Sequence, residues 1–249
     1  MADLNVIRFD RNGDPETGLQ RWPDIPTELL HSGAPIQTAH TYLDNDNGIF
    51  TAGVWDCTPH ELVPGPYAAD EFMVVLEGSI IIENESGQTD RFRTGECFII
   101  PKGMPCIWRQ DEYTRKFWAI HDNPDTPLAA DSSLNAIRAN PGATLPAMTG
   151  HDPAMYASEI PSMGLLNLYQ DPTGRFQAGV WDCSPMQRVA GRIERSELMH
   201  ILEGSGSITN ADGVVFEFRA GDTFMVPVGM GYQWQNDSYV KKFFCSYTP

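Results

Sequence analysis

The chain has 249 residues, 41% of them hydrophobic, with 33 acidic against 17 basic side chains and a formal net charge of -16. That apolar content supports a packed core and excludes general disorder, while the acidic excess argues against nucleic acid and against an anionic membrane as partners. No apolar run approaches the roughly 20 residues of a spanning helix, and the five cysteines form no Cys-x-x-Cys pair, which points to neither a disulfide framework nor a zinc site.

Residues 1–24 read as an N-terminal extension. They open Met1-Ala2-Asp3-Leu4-Asn5, without the basic and apolar regions of a signal peptide. Together with the cysteine usage this gives a cytoplasmic expectation. Residues 25–123 read as a first domain of short strands. Apolar or alternating runs fall at 72–76, 79–83, 90–93, 97–100, 106–109 and 115–120, punctuated by Gly78, Gly95, Pro101 and Gly103. Such runs at regular spacing predict an antiparallel sandwich or barrel. Residues 124–150, rich in Pro, Ala, Ser, Asp and Asn, read as a linker with one helical turn at 133–138. No part of the extension aligns with this linker. Residues 151–249 read as a second domain, with strands at 198–202, 207–210, 214–219, 223–226, 233–235 and 240–247.

The two domains are copies of one unit. Ala52-Gly53-Val54-Trp55-Asp56-Cys57 recurs 126 positions on as Ala178-Gly179-Val180-Trp181-Asp182-Cys183. Leu76-Glu77-Gly78-Ser79 recurs as Leu202-Glu203-Gly204-Ser205 at the same offset. Gly95, Pro101, Gly103, Met104 and Trp108 recur as Gly221, Pro227, Gly229, Met230 and Trp234. A period this long means two domains rather than a solenoid or propeller.

These motifs resemble the cupins. Glu71 followed by Gly78, in Glu-Phe-Met-Val-Val-Leu-Glu-Gly, is similar to the end of the first cupin motif. Gly95-x5-Pro101-x-Gly103 is similar to the start of the second, and Glu197, Gly204, Gly221, Pro227 and Gly229 repeat both. The lead-in Gly-Val-Trp-Asp-Cys resembles the ureidoglycine aminohydrolase-like subgroup of the RmlC-like cupins. The resemblance implies an all-β fold of two tandem jelly-roll (double-stranded β-helix) barrels, each with a pocket in its mouth. It also implies ureido or amide nitrogen chemistry and pairing into a homo-oligomer, a dimer above all.

A metal-bearing cupin has two histidines before the glutamate and one after the second motif's glycine. Here those slots hold Gly65, Tyr67 and Cys106 in the first unit, and Gly191, Ile193 and Tyr232 in the second. The glutamate slot alone survives, as Glu71 and Glu197. No metal site is expected, because a divalent transition metal normally needs three or four N, O or S ligands.

Glu71 and Glu197 are the candidate catalytic residues. Alternation puts them on one face with Met73 and Val75, or with Met199 and Ile201. On a barrel-lining face, burial would raise the carboxyl pKa and suit it to acid/base work or to a cationic or hydrogen-bonding ligand. The alternative is a carboxylate paired with a nearby Arg or Lys. Candidate ligand-binding residues are Tyr67 and Tyr232 as hydrogen-bond partners, Trp108 and Trp234 as an aromatic wall or as core, and Cys106 as a reactive thiol or a small buried hydrophobe. The equivalent bases Lys116 and Lys242 are expected to pair with Glu77, Glu203 or similar carboxylates. His60 reads as a turn residue, and no two histidines share a ligand spacing. The functional expectation is a bicupin binding or converting a small polar molecule in one barrel. Metal-free binding without turnover, or a scaffold role, stands beside it.

Overall fold

The structure, a computed structural model, describes residues 4–45 and 48–249, so the reading of the chain's first three residues lies outside it. The chain divides into two compact units. Phe9–Ala139 forms one, and residues 4–8 join Asn140–Pro249 in the other. Each is built from two antiparallel sheets. Among the described residues the helical elements are single 3-10 turns, Thr27–Leu29 and Pro153–Met155, and no helix is long and apolar enough to cross a membrane.

In the N-terminal unit one sheet runs Ile137–Ala139, Cys97–Ile100, Asp70–Glu77, Thr114–His121, Phe50–Cys57, Gln37–Asn45 and Gln20–Arg21. The other runs Thr89–Arg93, Ser79–Asn84, Pro105–Gln110, His60–Leu62 and Leu30–Gly33. The C-terminal unit repeats the plan. Ile7–Arg8, Thr223–Val226, Ser196–Glu203, Val240–Tyr247, Phe176–Cys183 and Met163–Gln170 form one sheet, and Met186–Gln187, Gly231–Asn236, Ser205–Thr209 and Val215–Arg219 form the other. Alternate residues of the paired strands meet inside: Met73, Val75, Ile80, Ile82, Phe98 and Trp108 in one barrel, Met199, Ile201, Ile208, Phe224, Val226 and Trp234 in the other. The Glu-Gly corners are tight. Gly78 and Gly204 sit at φ 72° and 82°, and a Cβ there would lie 2.2 Å from the Tyr113 carbonyl or 2.0 Å from that of Tyr239. Only glycine fits both demands.

Two expectations are corrected. Residues 133–138 are not a helical turn. The Asp131 carboxylate accepts from the Ser133 amide at 2.9 Å, closing a turn, and Ile137–Ala139 then pairs as a strand with Cys97–Ile100. Edge pairing outweighs the local helical tendency. The extension also has a counterpart in the linker after all. Asn5-x-Ile7-Arg8 and Asn135-x-Ile137-Arg138 supply the same edge strand to their respective barrels. Arg8 pairs with Asp222 at 2.8 Å, donates to the Glu217 carbonyl and lies over Phe216. Arg138 pairs with Glu96, donates to the Arg91 carbonyl and lies over Phe92. The offset of this motif is 130 rather than 126, so it is lost from the register of the main repeat.

Candidate functional site in the barrel interiors

The strand register explains how a lysine enters each barrel. Lys116 stands directly across from Trp55 on one neighbouring strand and Val75 on the other. Residues opposed in a sheet share a face, so Lys116 points inward with Val75, Met73 and Glu71. A bulge at Leu76 lets Arg115 oppose Glu77 while Lys116 opposes Val75. The second barrel repeats this, with Lys242 across from Trp181 and Ile201 and the bulge at Leu202. Bulges commonly re-aim side chains in this way.

The ammonium of Lys116 donates to Glu71 Oε1 at 2.6 Å and touches Met73 Sδ at 3.2 Å. It lies over two indoles, 5.0 Å from the centroid of Trp55 and 4.7 Å from that of Trp108. Lys242 does the same: Glu197 Oε1 at 2.7 Å, Met199 Sδ at 3.2 Å, Trp181 at 4.7 Å and Trp234 at 5.2 Å. All four charged residues are buried, Glu71 to 4% exposure and Glu197 to 3%. The indoles are themselves anchored. Trp108 Nε1 donates to Gln110 at 3.3 Å and Trp234 Nε1 to Asn236 at 2.6 Å. Each barrel therefore holds a desolvated ion pair inside an aromatic cage, where cation–π attraction is strongest. The predicted pairing of these lysines with Glu77 and Glu203 is corrected: those glutamates sit on the outer face, Glu77 held by Arg11 at 2.7 Å.

The second carboxylate oxygen distinguishes the barrels. In the first, Tyr67 donates its hydroxyl to Glu71 Oε2. In the second the equivalent of Tyr67 is Ile193, and Arg195, two residues on, sends Nε and Nη2 to Glu197 Oε2 at 2.9 and 2.8 Å. The expectation that burial raises the carboxyl pKa fails at Glu197. Burial does oppose its ionisation, but Lys242 and Arg195 outweigh burial and hold it down at about 2. Burial also pulls the Lys242 ammonium below its ordinary value, against the support of Glu197.

Residues 45–118 and 170–244 match a known family, described as the EutQ-like cupin domain. The chain belongs to the EutQ-like cupin family. A comparison with curated protein sequences finds no match. Among solved structures this cupin is similar to a protein of unknown function of the DUF861 family from Pseudomonas syringae pv. tomato str. DC3000, at 21% identity and TM-score 0.78, covering 97% of this chain and 98% of that one. It is similar to a cupin 2 conserved barrel domain protein from Leptotrichia buccalis at 10% identity and TM-score 0.60, covering 85% and 89%. It is also similar to a variant of salicylate 1,2-dioxygenase from Pseudoaminobacter salicylatoxidans at 15% identity and TM-score 0.52, covering 88% and 78%. At these identities the likeness shows the fold.

A divalent metal, which the cupin fold implies, does not fit the residues at the glutamate. Both oxygens of Glu71 and of Glu197 already accept from cations or a phenol. Burial raises the Cys106 thiol to about 11, so it is not a thiolate at neutral pH. Burial, with Glu71 and Glu197 respectively, raises the Tyr67 and Tyr232 hydroxyls. A metal would have to displace an ammonium already 2.6–2.7 Å from the carboxylate.

The structure gathers Glu71, Tyr67 and Trp108 in one barrel: the Tyr67 ring stacks beside Trp108 at 6.4 Å. Cys106 is buried in the same core and also lines a cavity of about 650 Å³ at the barrel rim, with Gly65, Pro66, Glu83, Asn84 and Glu85. Glu197, Trp234 and Tyr232 gather in the other barrel. His60, read as a turn residue, instead begins the strand His60–Leu62 and is buried at 5% exposure, with Nδ1 3.1 Å from the Thr58 carbonyl and 3.6 Å from Cys57 Sγ. Cys57, Cys97, Cys183 and Cys245 are buried. The expected alternative, a glutamate paired with a nearby Arg or Lys, is what both barrels show, and the sequence left unidentified only the partners themselves, Lys116, Lys242 and Arg195. For the lysines the available signal was the exact 126-residue repeat of Glu, Met, Trp and Lys together, whereas Arg195 has Ala69 at its matching position.

Proposed function

We propose that this bicupin binds a small polar molecule without a metal ion, in the mouth of its N-terminal barrel. The carrying observation is the chain Lys116–Glu71–Tyr67, closed by the caged ammonium at one end and by the half-buried Tyr67 at the other. Tyr67 keeps its proton at neutral pH, because burial and the neighbouring Glu71 charge both raise its pKa. Its ring offers a face and its hydroxyl a hydrogen-bonding group. The rim cavity of the same barrel, lined by Cys106 but not by Tyr67, carries Glu83, Asn84 and Glu85, which favours a neutral or cationic ligand over an anion. A ureido or amide compound, the class suggested by the ureidoglycine aminohydrolase-like motif, has that chemistry.

Turnover by Glu71 is the weaker reading. A general base must itself reach the substrate proton, and Glu71 is buried with the Lys116 ammonium on Oε1 and the Tyr67 hydroxyl on Oε2. The test is calorimetric titration of the full chain with urea, N-methylurea, acetamide and ethylamine. Saturable binding of one of them, weakened roughly tenfold or more in Tyr67→Phe, supports the reading. Binding unaffected by both Tyr67→Phe and Glu71→Gln would remove it.

A further inference from the structure

The mouth of the C-terminal barrel carries positive charge that its interior does not cancel. One carboxylate, Glu197, faces two cations, Lys242 and Arg195. Arg195 spends Nε and Nη2 on Glu197 and leaves Nη1 over, with its side chain 53% exposed. Arg188 is half-buried beside Tyr232, its guanidinium carbon 5.8 Å from the ring centroid. Among the described residues no carboxylate comes within ion-pair reach of Arg188, and the Tyr232 hydroxyl has no hydrogen-bond partner. The exposed Glu194 forms no ion pair with either arginine. Tyr156 bridges to Arg188 along the backbone and packs, like Tyr232, on the barrel core.

These groups are not demanded by the fold. The matching positions of the N-terminal barrel are Leu62, Ala69 and Cys106, none of which is charged at neutral pH. The cluster also runs against the composition of a chain with 17 basic and 33 acidic residues. Arginine left half-buried without an acceptor is costly, and two guanidinium edges with a phenol donor match a planar, two-oxygen acceptor.

We propose that the C-terminal barrel mouth binds a small organic carboxylate, held by Arg188, the free edge of Arg195 and the Tyr232 hydroxyl, with the rings of Tyr156 and Tyr232 against its carbon body. The burial of Tyr232 keeps that hydroxyl protonated as a donor. This ligand is opposite in charge preference to the one proposed for the N-terminal barrel and sits on different residues, so either assignment can fail alone.

The test is calorimetric titration of the full chain with matched pairs, benzoate against benzamide and succinate against succinamide, and with inorganic phosphate. The carboxylates should bind saturably and each amide at least tenfold more weakly. Arg188→Gln and Tyr232→Phe should each weaken the carboxylate roughly tenfold or more, while Arg109→Gln, on the outer face of the other barrel, should leave it unchanged. Tyr232→Phe keeps the packed ring, so it decides the matter if Arg188→Gln folds poorly. Amides binding as well as acids, phosphate binding more tightly than either acid, equal loss in Arg109→Gln, or no saturable carboxylate binding would each overturn the proposal.

Discussion

Replacing Lys116 by methionine keeps the aliphatic stem against Met73, Trp55 and Trp108 but strips Glu71 of its counter-charge. Both partners are nearly dry, at 7% and 5% side-chain exposure, and 2.6 Å apart. Breaking a buried pair from one side costs about 3–5 kcal/mol, because it leaves an uncompensated charge. At roughly 2–4 °C per kcal/mol for a chain of this size, Lys116→Met should lower the melting midpoint by about 6–20 °C. Glu71→Gln should cost a similar amount by stranding the ammonium between the indoles. The double variant Glu71→Leu with Lys116→Met removes both charges. It should recover most of the loss, since apolar replacement of a buried pair is often neutral or stabilising. Guanidinium unfolding followed by tryptophan fluorescence reads this directly, with Trp55 and Trp108 flanking the site. Single variants costing under about 1 kcal/mol, as an exposed pair would, or strictly additive losses, would refute the buried-pair reasoning.

The C-terminal barrel should be acid-sensitive in two windows. Burial lowers the His200 pKa to about 4, so stability present above pH 6.5 declines as pH falls from 6.5 towards 4, where the unfolded chain takes the proton first; His200→Gln should flatten this window in pH-dependent melting curves. Glu197, held at about 2 against 4.5, contributes about 3 kcal/mol that is present above pH 4.5 and lost as pH falls through 2, and Arg195→Gln should shift that loss to higher pH. Gly78→Ala and Gly204→Ala each force a Cβ within 2.2 Å of a carbonyl at positive φ, and should cost more than the roughly 1–2 kcal/mol of the backbone strain alone, measurable by urea unfolding. Cys106, with its thiol at about 11, should react with iodoacetamide at neutral pH far more slowly than an unfolded control, as read by mass spectrometry.

The fold was legible because its signals are local and doubled. The Glu-to-Gly spacing and the Gly-x5-Pro-x-Gly run mark tight corners, and both occur twice at one offset. Strands without a continuous apolar run, such as Gln37–Asn45 and Met163–Gln170, left no comparable mark. The candidate site was legible only in part. Glu71 and Glu197 could be placed on the inner face by alternation, but Thr114–His121 and Val240–Tyr247 are covered on both faces. Two adjacent basic residues in each of these strands cannot be sorted into inner and outer by periodicity. Register does the sorting, and register depends on bulges at Leu76 and Leu202 that leave no residue signature. The exchange of Tyr67 for Arg195 as the second donor is a swap at neighbouring positions of the same parity, visible only once both are seen to reach the same oxygen.

The central claim is that in each barrel a buried ammonium takes the place beside the glutamate where cupins carry a metal. Metal content of the purified full chain, measured by plasma mass spectrometry after dialysis against manganese, iron(II) and zinc, tests it most directly. The account predicts well under one equivalent of any of them per chain, unchanged by Glu71→Gln or Glu197→Gln. One retained equivalent of a divalent metal, lost on either substitution, would contradict it.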